Sequence, residues 1–275
     1  MDPSRAISLR KPVDPRQPRA YPARVASVSF CENSTISEAW ALAVGDPAEA
    51  RTEAVNATIN AICAERPELS GDPTFVWAQG DDSALPPHYR AQLRWADGAR
   101  VARVGHQYLA VHFLSSGGKY ETFEKSLRPD LEWWLARWLG SSAKFVPSRV
   151  VFGYVNSFEF SDRDFALSDY FRAAIELRGK LAGHSQSGCE ATFRLAADDG
   201  GLVHLAVQVD QVNAGSNAAP TEIWRVVVKT VANRTCAETA VDGILREFVS
   251  AKTLAKDTFF EFARARTHEL MKARY

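Results

Sequence analysis

Runs in which apolar and polar residues alternate recur along this chain, and they limit its fold more than any other feature does. Side chains of a β-strand point alternately to the two faces of a sheet, so this period of two is typical of half-buried strands. Asp97-Gly98 separates two such runs within 88–113 and favours a tight hairpin turn, with a third strand after Gly105. The other runs that predict strands are 23–30, 73–79, 148–160, 188–196, 202–212 and 222–232.

Helices are predicted between and after these strands. A helical stretch opens at "NST", where Ser34 or Thr35 is the cap and Glu38 is placed to complete a capping box. The remaining predicted helices begin at Asp46-Pro47 and cover 117–140, restarted at Pro129, 166–177 and 236–273. Both halves of the chain therefore have the order β-α-β-β-β-α. This order predicts an α+β fold of antiparallel sheets with packed helices, built as two tandem halves over 23–145 and 146–275.

The sequence LEWWLARWLG, residues 131–140, holds three tryptophans. On the predicted helix most apolar residues share one broad stripe, as the core-facing side of an amphipathic helix does. That stripe consists of Tyr120, Phe123, Leu127, Leu131, Trp134, Leu135 and Trp138. Trp133 lies on the other side, near Arg137. It is either a contact for a protein partner or an indole lying flat on the surface or under the N-terminal segment. Trp133 and Arg137 are therefore candidate binding residues.

The strand predicted over 148–160 places a polar residue in an apolar, largely aromatic row. Its shared face consists of Val150, Phe152, Tyr154, Asn156, Phe158 and Phe160. A buried amide must find hydrogen-bond partners or cost about 1–3 kcal/mol. Asn156 is therefore expected either to hold a neighbouring backbone at a bulge or sheet junction, or to orient a ligand in an aromatic pocket beside Tyr154. Tyr154 and Asn156 are further candidate binding residues.

The first 22 residues differ in composition from the rest of the chain. They contain five prolines, and their five basic and two acidic side chains give a net charge of +3. Because so few apolar residues cannot form a core, we predict an extended, basic, proline-rich arm over 1–22. Proline reduces the entropy lost when such an arm is fixed, which suits binding to an acidic or aromatic groove. Arg16 and Arg19 are the candidate binding residues of the arm.

Few sequence features predict catalytic chemistry. Basic and acidic residues number 33 each, which argues against a nucleic-acid binder that uses its whole surface. The sequence contains no C-x-x-C pair, Walker A loop, G-x-G-x-x-G or H-E-x-x-H, and "GHSQSGC" lacks the second glycine of a nucleophile elbow. His88, His106 and His112 have no carboxylate or thiol at ligand spacing. We therefore expect no metal or cofactor and favour a protein that is not an enzyme.

The N-terminus and the cysteines bear on the compartment. We find no apolar signal-peptide region and no run that approaches about 18 apolar residues. The four cysteines lie far apart, which does not suggest a disulfide scaffold. These features lead us to expect a cytoplasmic protein with reduced thiols and no membrane association.

Several segments in order, from "ARVASVSF" through "VARVGHQYLAVHF", "KYETFEKSL" and "SRVVFGYVNSFEF" to "LSDYF", resemble a sporadically distributed, uncharacterised family of prokaryotic proteins. The resemblance covers most of 23–275. Its best local match is Tyr154-Val155-Asn156, although Gly153 stands where that family usually has a basic residue. The family's patchy distribution implies an accessory gene in defence, toxin–antitoxin or biosynthetic clusters, and the resemblance implies no reaction.

Three functions follow as expectations. The leading one is a non-catalytic accessory subunit that binds another protein, or a second copy of itself, through the arm, Trp133 or a sheet edge. The first alternative is a small-molecule-binding protein or enzyme, with a pocket between the two halves near Tyr154 and Asn156. The second alternative is a nucleic-acid binder that uses the arm and the basic C-terminal region. That region contains Arg264, Arg266, Lys272 and Arg274.

Overall fold

A computed structural model of the chain describes residues 36–45, 52–66, 69–72, 89–105, 107–115, 120–141, 145–160, 165–172, 188–214 and 221–272. The predicted arm over 1–22, with Arg16 and Arg19, lies outside these residues, as do the strands predicted over 23–30 and 73–79. Within the described residues no helix is both long enough and apolar enough to cross a membrane.

The described residues form nine strands and six helices. The strands are β1 Ile36–Gly45, β2 Leu69–Asp72, β3 Tyr89–Trp95, β4 Arg100–Gly105, β5 Tyr108–Leu114, β6 Pro147–Phe160, β7 Gly188–Ala196, β8 Leu202–Ala214 and β9 Thr221–Thr235. The helices are α1 Thr52–Glu65, α2 Phe123–Ser126, α3 Arg128–Leu139, α4 Leu167–Tyr170, α5 Val241–Phe262 and α6 Ala265–Lys272. The predicted strands that became β3 to β9 are confirmed to within a few residues.

All nine strands belong to one antiparallel sheet in the order β2-β3-β4-β5-β1-β6-β9-β8-β7. This confirms the predicted α+β class with an antiparallel sheet and packed helices. β1 and β6 pair with each other near the middle of the sheet, with β2 to β5 on one side of them and β7 to β9 on the other. The boundary between the two halves, and the tandem duplication itself, stay predictions.

β1 corrects the helix predicted from Ser34 or Thr35, because Glu38 lies in a strand and not in a capping box. Both faces of β1 are covered. Its alanines at 39, 41 and 43 belong to the main core, whereas Trp40 and Leu42 are buried on the opposite face. A strand buried on both faces is apolar at nearly every position, so it lacks the alternation that separates a strand from a buried helix.

The helices pack on one face of the sheet and form the main core with it. All residues of the stripe predicted on the 117–140 helix are buried, and Trp134 and Trp138 are fully buried, which confirms the predicted packing role of these two tryptophans. Pro129 lies in the first turn of α3, so the helix restarts there as predicted. A smaller apolar cluster lies on the opposite face. It consists of Trp40, Leu42, Tyr108, Ala110 and Val151.

Candidate functional site

Trp133 on α3 lies beside two arginines. The centre of its ring is 4.4 Å from the guanidinium carbon of Arg66 and 4.0 Å from that of Arg137. Arg137 Nε donates a hydrogen bond to Glu65 Oε2 at 2.6 Å, and Arg137 Nη1 donates to the carbonyl of Trp133 at 3.2 Å. Because Glu65 and Arg66 stand at the end of α1, these contacts tie α1 to α3.

The predicted binding residues Trp133 and Arg137 are therefore in direct contact. Trp133 is partly buried and also lies edge-on to Trp134, with ring centres 5.4 Å apart. Stacked guanidinium groups of this kind contribute about 0.5–2 kcal/mol each, depending on desolvation. The ring thus has a packing role inside the chain, and a contact with a partner protein stays a prediction.

Tyr154 and Asn156, the predicted binding residues of β6, are both buried, at 8% and 7% exposure. The Tyr154 ring packs edge-on against Tyr120 and Phe152, with ring centres 6.0 Å and 4.9 Å apart. Asn156 lies between the two core clusters of the helix-covered face, since Tyr154 belongs to one and Phe158 to the other. The two residues therefore line the packed interior of the sheet.

Asn156 also lies opposite an irregularity in β1. Ile36 pairs with Asn156 and Glu38 pairs with Val155, so Ser37 is an extra residue in β1, as in a β-bulge. The Ser37 hydroxyl donates a hydrogen bond to the Val155 carbonyl at 3.1 Å. If Asn156 holds a neighbouring backbone in place, a bulge is one of the locations where we expect it, and Asn156 lies beside one. Its role in orienting a ligand stays a prediction.

The sequence does not predict a network of polar side chains that lies on the face of the sheet opposite the helices. His112 on β5 and Glu38 on β1 share a hydrogen bond of 2.8 Å between Nδ1 and Oε1. Arg103 Nη1 lies 3.5 Å from the other ring nitrogen, Nε2, and Arg103 Nε donates to Gln92 Oε1 at 3.0 Å. The network crosses four strands, from β1 through β5 and β4 to β3. The sequence favours surface or hydrogen-bonded histidines over metal ligands but does not indicate their partners, and it predicts a helix at Glu38.

Burial is the main reason that the pKa of His112 lies below its usual value; the hydrogen bond to Glu38 opposes this shift and the charge of Arg103 adds to it. His112 is therefore neutral near pH 7, with the proton on Nδ1 donated to Glu38. Burial alone would raise the pKa of Glu38, but the hydrogen bond from His112 and the nearby charges of Arg103 and Lys229 lower it overall. The pair consists of an ionised carboxylate and a neutral imidazole.

The network adjoins Trp40, the largest side chain of the smaller cluster. The Trp40 ring stacks on His112, with ring centres 6.4 Å apart and an angle of 20° between the planes. Lys229 Nζ lies 5.6 Å from the centre of the same ring. Gly153 lies directly opposite Trp40 on β6. Because glycine has no Cβ atom, it leaves space for the indole.

Three arginines lie close together where α4 and α6 approach each other. They are Arg172, Arg264 and Arg266, and with Asp169 and Ala265 they line a cleft of about 380 Å³. Arg266 stacks on Tyr170 at 4.6 Å from the ring centre, and its Nη1 lies 3.9 Å from Asp169 Oδ2. Arg264 Nε donates to the Phe171 carbonyl at 3.3 Å. With three cations and one anion, the cleft has an electrostatic preference for anionic groups.

The sheet ends in a long edge strand. β7 pairs with β8 over its whole length, from Gly188 to Ala196, without a register shift. Among the described residues, no strand pairs with its other side. Phe193 and Leu195, which share the helix-covered face of β7, are 40% and 42% exposed. We call this edge of β7 together with these two side chains the β7 surface.

The structure brings Trp133 and Arg137 together, and it places Tyr154 and Asn156 on one buried face, but Arg16, Arg19, His88 and His106 lie outside the described residues. Among the residues described, no group of three or more His, Cys, Asp or Glu side chains could hold a metal ion. No protein-family model, no curated protein and no solved structure matches this chain. The family resemblance thus stays a prediction, and the surfaces described above are the basis for inferring function.

Proposed function

We propose that this protein is a non-catalytic, protein-binding subunit and that it binds through the β7 surface. The single observation that carries this proposal is the exposure of Phe193 and Leu195 on a nine-residue edge strand. Exposed apolar side chains grouped on one surface are typical of interaction sites. The resemblance adds a proposed setting, a prokaryotic cytoplasmic system of the defence, toxin–antitoxin or biosynthetic kind.

The backbone of β7 supports this proposal. An edge strand presents unpaired N–H and C=O groups that can pair with a strand from another chain. Proteins usually protect such edges with short strands, bulges, proline or charged side chains, lysine above all. β2, at the opposite end of the sheet, has four residues. β7 has nine residues and a continuous register, and its sequence GCEATFRLA contains neither proline nor lysine.

The polar network does not have the geometry of a general-base site. A general base needs a free nitrogen within hydrogen-bond reach of its substrate. Both ring nitrogens of His112 instead face side chains of the chain itself, Glu38 and Arg103, and the His112 side chain is 3% exposed. This arrangement suits a histidine that stabilises the middle of the sheet.

A photo-crosslinker at the β7 surface tests the proposal. We would replace Phe193 by p-benzoylphenylalanine, which keeps an aromatic ring, in cells that naturally produce the protein. The matched control carries the same replacement at Val146, which is 56% exposed and lies outside β7. We expect a discrete protein adduct from position 193 and none from position 146. The absence of an adduct at 193, or equal labelling at both positions, would contradict the proposal.

The arginine cleft favours a second candidate function, the binding of a phosphate-bearing ligand such as a nucleic-acid backbone. Its test is the fluorescence anisotropy of a labelled single-stranded oligonucleotide over a salt series. If the cleft binds phosphates, replacement of Arg172, Arg264 and Arg266 by glutamine should weaken binding and flatten its salt dependence. Arg225→Gln, at an exposed arginine on β9, is the control. A weak interaction that all variants share would rule this function out.

A further inference from the structure

We propose that the partner of the β7 surface is a second copy of this chain, with the two β7 strands paired antiparallel about a twofold axis at Thr192. This inference rests on the proposed function, which it makes more specific. The pairing would join the two nine-stranded sheets into one continuous sheet. It would also cover the edge backbone and the exposed parts of Phe193 and Leu195.

The symmetry determines which residues face each other. In an antiparallel pair about this axis, Thr192 lies opposite Thr192 of the second copy, 191 opposite 193, 190 opposite 194, and 189 opposite 195. Because the axis is perpendicular to the sheet, each face of β7 continues into the same face of the second copy. Each off-axis pair therefore occurs twice.

The side chains of β7 are complementary to themselves in this register. On the helix-covered face, the large Phe193 lies opposite the small Ala191, and Leu195 lies opposite Cys189. On the other face, Glu190 lies opposite Arg194 in both symmetry-related positions, with the Thr192 pair between them. Cross-strand pairs of opposite charge and of two threonines are favourable combinations in antiparallel sheets.

The two charged residues of β7 are available for this role. Glu190 and Arg194 are exposed, and neither has an ion-pair partner in the described part of the chain. They lie on the same face, but four residues along a strand separate them by roughly 13 Å, so they cannot pair within one chain. A second copy places them face to face.

Neighbouring registers lack this match. An axis at Phe193 would place Arg194 opposite Thr192 and Glu190 opposite Ala196, so no charge pair forms. An axis at Ala191 would place Glu190 opposite Thr192 and Arg194 opposite Gly188. Thr192 is thus the position about which charge and side-chain size are both matched.

Charge reversal in the full-length protein tests the pairing, with sedimentation velocity over a concentration series as the measurement. The wild type should show a monomer–dimer equilibrium. Glu190→Arg and Arg194→Glu should each weaken dimerisation by about tenfold or more, because each creates two like-charge pairs by symmetry. The double variant E190R/R194E should recover the dimer. A mixture of the two single variants should form a heterodimer, since all its cross-strand charges are again opposite.

Cysteine cross-linking tests the register. Opposite Cα atoms in antiparallel strands lie about 4.5–5.5 Å apart, a separation that a disulfide can span. Thr192→Cys should therefore form a covalent dimer on mild oxidation. Glu190→Cys should not exceed the wild-type background, because position 190 faces position 194. Both sites are exposed, and circular dichroism spectra of the variants would serve as the control for folding.

The outcomes separate the two proposals. A wild type that is monomeric throughout, single charge variants that dimerise as well as the wild type, or a double variant that stays monomeric would overturn self-pairing. If the crosslinker at Phe193 then captures a different protein, the protein-binding function stands without self-pairing. If it captures nothing while the wild type dimerises, both proposals are wrong, because the dimer uses another surface.

Discussion

The indole of Trp40 lies against Gly153, the residue directly opposite it on β6. A Cβ atom built at Gly153 would overlap the six-membered part of the Trp40 ring. The ring is confined on its other side by His112, on which it stacks. Glycine at 153 is therefore required by the close approach of an aromatic side chain.

Gly153→Ala should lower the free energy of unfolding by about 1–3 kcal/mol, the usual range for overpacking a well-packed core. The midpoint of urea unfolding measures the loss, with the slope of the transition as a check on two-state behaviour. Introducing Gly153→Ala into a Trp40→Leu background is the control. Most of its cost should disappear there, because the two changes are coupled. An equal cost in both backgrounds would show that the ring does not set the requirement.

The three tryptophans of α3 should differ in their contribution to stability. Trp134→Ala and Trp138→Ala should each cost about 3–5 kcal/mol, because both side chains are fully buried. Trp133→Ala should cost only about 1–2 kcal/mol, since it removes a partly buried ring and its contacts with Arg66 and Arg137. Denaturant midpoints of the three variants test this order. Equal losses of stability at all three positions would contradict the placement of Trp134 and Trp138, but not Trp133, on the core-facing side of α3.

His112 should make stability depend on pH. Its pKa is lowered in the folded state, so as pH falls through about 6.5 the unfolded chain takes up a proton that folded His112 does not. The free energy of unfolding should therefore decrease as the pH decreases, and His112 should contribute at most about 1.4 kcal/mol per pH unit to this decrease. His112→Asn keeps a donor near the Nδ1 position and cannot titrate, so its stability curve should be flatter between pH 7 and pH 5. Parallel curves for the two proteins would contradict this.

The guanidinium group of Arg100 should stabilise the buried carboxylate of Asp130. Its Nη1 lies 2.9 Å from Oδ2 of Asp130, whose side chain is 6% exposed. Arg100→Met should cost about 2–3 kcal/mol at pH 7, below the range for a fully buried pair because Arg100 is one-third exposed. Burial already raises the pKa of Asp130, so the cost should shrink as pH falls and the carboxyl becomes neutral. A cost that is independent of pH would show that Asp130 is not the cause.

Local rules in the sequence were enough for much of this fold. Gly98 has a φ of +69°, as expected in the hairpin turn predicted from Asp97-Gly98. The buried face of α3, with Leu131, Trp134, Leu135 and Trp138, followed from helical spacing, and the long strands β6, β8 and β9 followed from alternation. In each case the residues that determine the structure lie within a few positions of one another, so neighbours in the chain carry the information.

Only the tertiary structure decided the rest. β1 is central in the sheet and contributes to a core cluster on each face, and no local pattern distinguishes such a strand from a helix. Glu38 and His112 are 74 positions apart in the chain and become neighbours because β1 pairs with β5. Gly153 faces Trp40 because β1 pairs with β6. Cross-strand neighbours depend on the order and register of strands in the sheet, which long-range packing sets and local sequence does not encode.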